Sequence, residues 1–157
     1  MRSRIAWTIV ALVAVMIVAQ LMRFNLTALN DPGPGETLIA NRTTRFLIRR
    51  ASKQRLPPRP ADMKASAASG STRYDAQCGA CHGPDGRSQM PIGRWMYPRA
   101  ADLTSDQVQS FSDQELFWII QNGIRFTGMP GFGKVESEDR IWNLVDYVRT
   151  LPGAQMK

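Results

Sequence analysis

Cys78-Gly79-Ala80-Cys81-His82 gathers both cysteines and the single histidine of a 157-residue chain into one pentapeptide. C-x-x-C-H is the covalent haem attachment sequence. Two thiols one helical turn apart can form thioethers to the two vinyl groups of one porphyrin, and the next side chain then points at the iron as proximal ligand. Other chemistries fit poorly. A thioredoxin-like redox pair wants a βαβ context, and no parallel-strand runs flank Cys78. A zinc site needs a fourth protein ligand, and the chain has no further Cys or His to give.

An electron-transfer haem also needs its sixth position filled by a strong-field side chain, and without a second His the natural candidate is a Met. Of the eight methionines, Met1, Met16 and Met22 belong to an apolar N-terminal run, Met63 to a connector and Met156 to the C-terminal end. Met90, Met96 and Met129 remain. Met129 stands in Gly128-Met129-Pro130-Gly131-Phe132-Gly133, where Gly and Pro forbid regular structure and a stiff loop presents the thioether. Met90 precedes Pro91 in a less constrained loop, and Met96, between Trp95 and Tyr97, reads as packing.

Working outward, charge divides the chain unevenly. Residues 1–70 hold 11 Lys+Arg and 3 Asp+Glu, whereas residues 71–157 hold 9 and 10. The basic balance is therefore confined to the N-terminal half. A nucleic-acid reader would carry its basic stripe on the folded part beside a reading motif, and none is present there. Two cysteines cannot build a disulfide framework, and the length excludes a multidomain enzyme.

Between Arg4 and Arg23 runs IAWTIVALVAVMIVAQLM, 18 residues without a charge. At 1.5 Å per residue this covers roughly 27 Å, close to the hydrocarbon thickness of a bilayer. A cleaved signal would have a shorter apolar core and an A-x-A-like end, so residues 1–23 are predicted to form an uncleaved transmembrane anchor. Arg2 and Arg4 before the run place the N-terminus in the cytoplasm by positive-inside counting, with everything after Arg23 outside it.

Residues 24–70 read as a basic Pro/Gly-containing linker. Asp31-Pro32-Gly33-Pro34-Gly35 and Leu56-Pro57-Pro58-Arg59-Pro60 break regular structure, and Ala65-Ser66-Ala67-Ala68-Ser69-Gly70 is small and flexible in composition. Between these breakers, Glu36 to Gln54 has the content of a short basic helix. The linker's bases allow two roles, a solvated spacer or adhesion to anionic lipid or an acidic partner subunit. Fully flexible, it would reach roughly 35–40 Å.

Residues 71–157 are predicted to be all-α. Ser71 to Cys81 forms the first helix, with Ser71 as N-cap and the cysteines in its last turn. Ser112-Asp113-Gln114-Glu115 is a capping box ahead of Leu116, Phe117, Ile119 and Ile120, and Gly123 ends that helix. A third starts near Ser137, places Ile141, Leu144, Val145 and Val148 on one face, and stops at Pro152. Trp142 and Tyr147 are expected to pack on the first helix, and Asp113, Glu115, Glu136, Glu138 and Asp139 to be helix-start acids. So small a unit buries little apolar surface unaided, and a covalent porphyrin would supply the missing core.

Gly70, Tyr74, the C-x-x-C-H-G stretch, Asn122-Gly123-Ile124, Gly128-Met129-Pro130-x-Phe132 and the closing Trp142 to Pro152 stretch occur in an order and spacing that resembles a class I c-type cytochrome. The likeness is to the small monohaem kind found as bacterial membrane-anchored domains, and it covers about half of the chain. It implies a small cytochrome c fold around one haem c, thioether donors Cys78 and Cys81, and axial ligands His82 and Met129. The family's Pro-x-Leu segment, whose Pro carbonyl receives the proximal histidine's second N–H, corresponds to Ala101-Asp102-Leu103. Leu103 then packs on the porphyrin face, and Pro130 beside Met129 completes the cofactor contacts.

The implied function is one-electron transfer in a membrane-associated chain, by a periplasmic domain held at the bacterial inner membrane and meeting redox partner proteins. It implies no catalytic residues. Two alternatives carry different partners: a fixed haem subunit of a larger respiratory or photosynthetic complex, and a haem domain with an open sixth site acting on peroxide or a gas.

Overall fold

The structure is a computed structural model that describes residues 2–22, 27–53 and 56–151. Arg23, Arg55, Pro152 and Met156 lie outside the described residues. Among those described, all regular structure is helical, as predicted. The chain runs through α1 (Arg2–Met22), α2 (Pro34–Ala51), α3 (Met63–Gln77), α4 (Gly79–His82), α5 (Pro91–Trp95), α6 (Asp106–Gln109), α7 (Asp113–Asn122) and α8 (Glu138–Thr150).

Local signals set most of these boundaries. Ser112 and Glu115 close a reciprocal capping box at the start of α7, and Gly123, at φ +68°, ends it. Pro at the first turn starts α2 and α5, where its missing N–H costs no intrahelical bond. Ser137 begins α8 in extended conformation, with Glu138 and Asp139 in its first turn. α1 is long and apolar enough to cross a membrane over Ser3–Gln20, and none of that window is buried against the rest of the chain.

The first core helix departs from expectation. It starts at Met63 and not at Ser71, because Asp62 caps it by accepting from the N–H groups of Lys64 (3.1 Å) and Ala65 (3.0 Å). Ser71 lies inside the helix, its hydroxyl donating to the Ala68 carbonyl. The stretch Ala65 to Gly70 is therefore helical, not flexible. Its small residues allow close approach: Ser66, Ala67 and Gly70 are buried against α8. A Cβ on Gly70 would stand 2.1 Å from the Asn143 carbonyl oxygen. Ser66 Oγ donates to Asn143 Oδ1 at 2.6 Å across the same seam. The helix also ends early, with Cys78 as its C-cap and Cys81 and His82 in the separate turn of α4.

α3 and α8 cross with α7 over a core in which Tyr74, Phe117, Ile141, Leu144 and Val145 are fully buried. Tyr147 meets Tyr74 of α3 with ring centroids 4.9 Å apart, as anticipated. Trp142 instead meets Phe117 of α7 at 4.5 Å, and its indole N–H donates to the Pro57 carbonyl. Tilted aromatic contacts of this kind add about 0.5–1.5 kcal/mol beyond area burial.

The basic segment before α3 is laid along this core. Ile48 of α2 is buried. Arg45 donates to the Ser110 carbonyl (3.0 Å) and hydroxyl (2.9 Å) and its guanidinium stacks on Phe111. Arg49 pairs with the buried carboxylate of Glu115 at 3.3 Å. Arg59 bonds both Asp113 and Asp146 and lies over the Trp142 ring. Arg149, from α8, reaches the other oxygen of Asp113 at 2.8 Å. At the far end, Arg99 pairs with Asp31 at 2.6 Å and the Tyr97 hydroxyl donates to Glu36. These residues are held on the folded unit and do not behave as a 47-residue flexible tether.

Two variants test this packing. Gly70→Ala should lower stability by about 2–3 kcal/mol, because backbone on the opposing helix cannot yield as a side chain would. Ser69→Ala, on the exposed side of the same helix, should change the melting midpoint little. Arg59→Ala should cost about 2–3 kcal/mol in denaturant unfolding, since it strands the Asp146 side chain, 1% exposed, without its cation.

Candidate haem-binding site

The site is built where α3 hands the chain to α4. Cys78 is the last cap of one helix and the first of the next, so the Cys81 and His82 N–H groups both donate to its carbonyl, at 3.1 and 2.9 Å. That single turn carries both cysteines and the histidine. The turn is closed by Gly83, at φ +78°, whose carbonyl accepts from the buried Tyr74 hydroxyl at 2.8 Å. Tyr74 thus ties the core of α3 to the loop that follows His82. Burial raises its phenol pKa far above the ordinary value, so the group stays a donor.

His82 Nδ1 donates to the Ala101 carbonyl at 2.9 Å. A carbonyl can only accept, which fixes the proton on Nδ1 and leaves the Nε2 lone pair for a metal. The Ser88 hydroxyl donates to the same carbonyl. The replacement of the family's Pro by Ala101 therefore keeps the bond, with Ser88 as a second contact that sequence reading gave no reason to single out. Burial lowers the His82 pKa, opposed by the Ala101 bond.

The two thiols are unpaired and half-buried. Desolvation, with repulsion from Cys81 and then Glu136, pushes the Cys78 thiol up to about 11. A reactive thioredoxin-like cysteine has its pKa lowered, so this site does not have that character. Among the described residues no group of three or more His, Cys, Asp or Glu is gathered as a metal site would need.

Met129 is partly buried against the core, on a loop folded back over the end of α7. The Ile124 N–H donates to the Met129 carbonyl at 3.3 Å, the Met129 N–H to Thr127 Oγ1 at 3.1 Å, and the Phe132 N–H to the Ile120 carbonyl at 3.0 Å. Gly123 is required here twice over. Its φ is positive, and a Cβ would meet the Met129 oxygen at 2.7 Å. Pro130 is exposed on this loop. The Met96 sulfur lies beside Gly128, so Met96 packs against the loop that carries Met129. Met90 sits near Gly83, and Ile92, Trp95 and Phe126 project apolar surface from the neighbouring segments. Leu103 donates its N–H to the Gly86 carbonyl and packs on the core's edge.

Glu136 is more than a helix-start acid. It is buried, and Arg73 (3.0 Å) and Gln77 (2.6 Å) from α3 both donate to it, with Arg140 at 3.7 Å. It thereby holds the last turn before Cys78 against the start of α8. A loop acid two residues before a helix carries no sequence signal for that role.

Two free thiols on one turn, an imidazole with its outer nitrogen free, a sulfur on a braced loop and apolar surface between them fit a c-type haem. The family described as cytochrome c oxidase, cbb3-type, subunit III, matches residues 65–148. The chain belongs to this family. Its folded part is accordingly a c-type cytochrome domain, a carrier of haem c of the kind used in haem-based electron transfer. No curated protein matches the sequence significantly. Among solved structures, a chain of the reducing HAO-like protein complex of Kuenenia stuttgartiensis is 24% identical, with a TM-score of 0.50, over 62% of this chain and 52% of that one. The match spans about half of that chain's length and bears on the fold alone.

Gly93→Ala probes the cradle. A Cβ there would stand 2.1 Å from the Cys81 carbonyl oxygen, so α5 must leave the haem-attachment turn. The holo-protein should melt roughly 5–15 °C lower, as expected for about 2 kcal/mol in a domain of this size.

Proposed function

We propose that this protein is a one-electron carrier with a single haem c, attached through Cys78 and Cys81 and ligated by His82 and Met129, with Leu103 and Pro130 against the cofactor. The observation that carries the reading is the His82 bond to Ala101, because it orients the one imidazole of the chain with Nε2 free immediately after the paired thiols. In this reading residues 1–23 anchor the chain in a bacterial inner membrane, and the cytochrome c domain on the periplasmic side begins with α3 at Met63, not at residue 71, with the basic segment before it laid on the domain. When bound, the haem supplies reversible one-electron chemistry between ferrous and ferric iron.

The protein's own residues do the rest. The Ala101 carbonyl, with Ser88 beside it, makes the imidazole a better electron donor by polarising its Nδ1–H. Met129 would hold the iron through its thioether, a ligand that would favour the ferrous state and raise the potential. The loop held by Gly123 and Thr127 keeps that thioether at a fixed place, so that little rearranges when the charge changes. The chain moves electrons and makes or breaks no substrate bond itself, and its partners are redox proteins.

A second reading, a fixed subunit of a membrane oxidoreductase complex, is favoured by the family's own description as an oxidase subunit. Native electrophoresis after mild detergent extraction separates the two, since migration as a lone small protein excludes an obligate subunit.

The oxidised protein should show a near-infrared sulfur-to-iron charge-transfer band that Met129→Ala abolishes and Met96→Leu and Met90→Leu leave in place. Absence of the band in the wild type would mean an open or differently filled sixth site. The mature chain should exceed its bare mass by one haem. The Cys78→Ala, Cys81→Ala variant should lose much of its helical circular dichroism, and native helicity in that variant would count against the porphyrin as part of the core.

A further inference from the structure

Resting on the reading that α1 spans the membrane, we infer that the outer face of α2 is an interfacial helix that lies on anionic lipid and seats the haem domain against the bilayer. α2 has two faces with different tasks. Arg45, Ile48 and Ser52, with Arg49 at the edge, face the folded unit and are engaged there. On the opposite side Ile39, Arg42, Phe46, Arg50 and Lys53 follow one another at helical spacing of three and four, and all are exposed. Ile39 is 68% and Phe46 64% exposed, with Leu38 and Leu47 flanking them at 54% and 55%.

Ile39 and Phe46, with Leu47 at the edge, need a cover in water, and alternating them with three bases suits the boundary between headgroups and acyl chains; Leu38, seven residues before Arg45, lies on the inward stripe. The only carboxylate of α2, Glu36, is bonded to the Tyr97 hydroxyl. The outward face therefore presents cations and apolar groups with no anion to repel phosphate. Location supplies the second argument. Residues 23–33 separate α2 from the end of α1, a span of at most roughly 40 Å when fully stretched, so a lipid surface is within constant reach. Because the inward face is clamped through Arg45 and Arg49, lipid contact by the outward face would orient the whole domain and not merely a loop.

The test uses the full holo-chain in nanodiscs, where Cys78 and Cys81 are consumed as thioethers and a single added cysteine reports alone. Thr43→Cys sits on the exposed outward side one turn before Phe46 and two before Arg50, Gln107→Cys on the exposed side of α6, and Thr8→Cys within α1. Alkylation by a membrane-impermeant maleimide is followed by mass. In discs containing phosphatidylglycerol, Thr43→Cys should react at least about fivefold more slowly than Gln107→Cys. That factor is the worth of roughly one base near an anionic surface. The protection should shrink in pure phosphatidylcholine and on adding Arg42→Gln, Arg50→Gln and Lys53→Gln.

Equal rates at positions 43 and 107 in anionic discs, with position 8 still blocked, would overturn the inference and leave the anchor standing. Free reaction at position 8 would overturn the anchor, and the inference with it. Protection of position 43 in native membranes but not in lipid discs would assign this face to a protein neighbour and overturn the lipid reading.

Discussion

The contact of backbone on backbone where α3 crosses α8 is the constraint on which the other positions depend. With no side chain at Gly70, α3 can rest on the Asn143 carbonyl. Tyr74, one turn further on, then reaches full burial against Tyr147. From Tyr74 the geometry passes directly to the site, through its hydroxyl on the Gly83 carbonyl and its own carbonyl on the Cys78 N–H. The haem-attachment turn is thus placed by the helix crossing, and not by contacts among its own small residues.

A second layer of order comes from desolvated carboxylates. Glu115, Glu136 and Asp146 are all buried, and each is held by a cation from a different part of the chain: Arg49, Arg73 and Arg59. Pairs of this kind add little net stability compared with apolar packing, but leaving one partner behind is costly. Their effect is to make specific attachments obligatory. Two of the three draw in the basic segment between α1 and α3, which binds that segment to the cytochrome domain at defined places.

At the site, the sequence supplies the donors and the fold supplies their aim. A carbonyl on Nδ1 decides which imidazole nitrogen is available, and glycines at 93 and 123 admit neighbouring backbone where any Cβ would collide. The raised thiol at Cys78 and the absence of a metal-binding cluster among the described residues bear on the same question from the other side. Neither points to a thioredoxin-like or a zinc use of the C-x-x-C pair.

What could be read from the residues alone was whatever depends on near neighbours in the chain. The spacing within Cys78 to His82, the capping box at Ser112, the apolar face of α8 and the uncharged run of α1 are each complete within a few turns, because helix geometry converts sequence distance directly into spatial distance. The start of α3 at Met63, the use of Ser66 and Gly70 as a seam, Trp142 on Phe117, Ser88 behind His82 and the placement of Arg49 and Arg59 on buried acids were decided only by tertiary structure. Each needs a partner 13 or more residues away, except the cap at Asp62, whose helix reads as a linker until α8 lies beside it. A run of small residues costs entropy in isolation and gains only when another backbone comes close enough to exploit it.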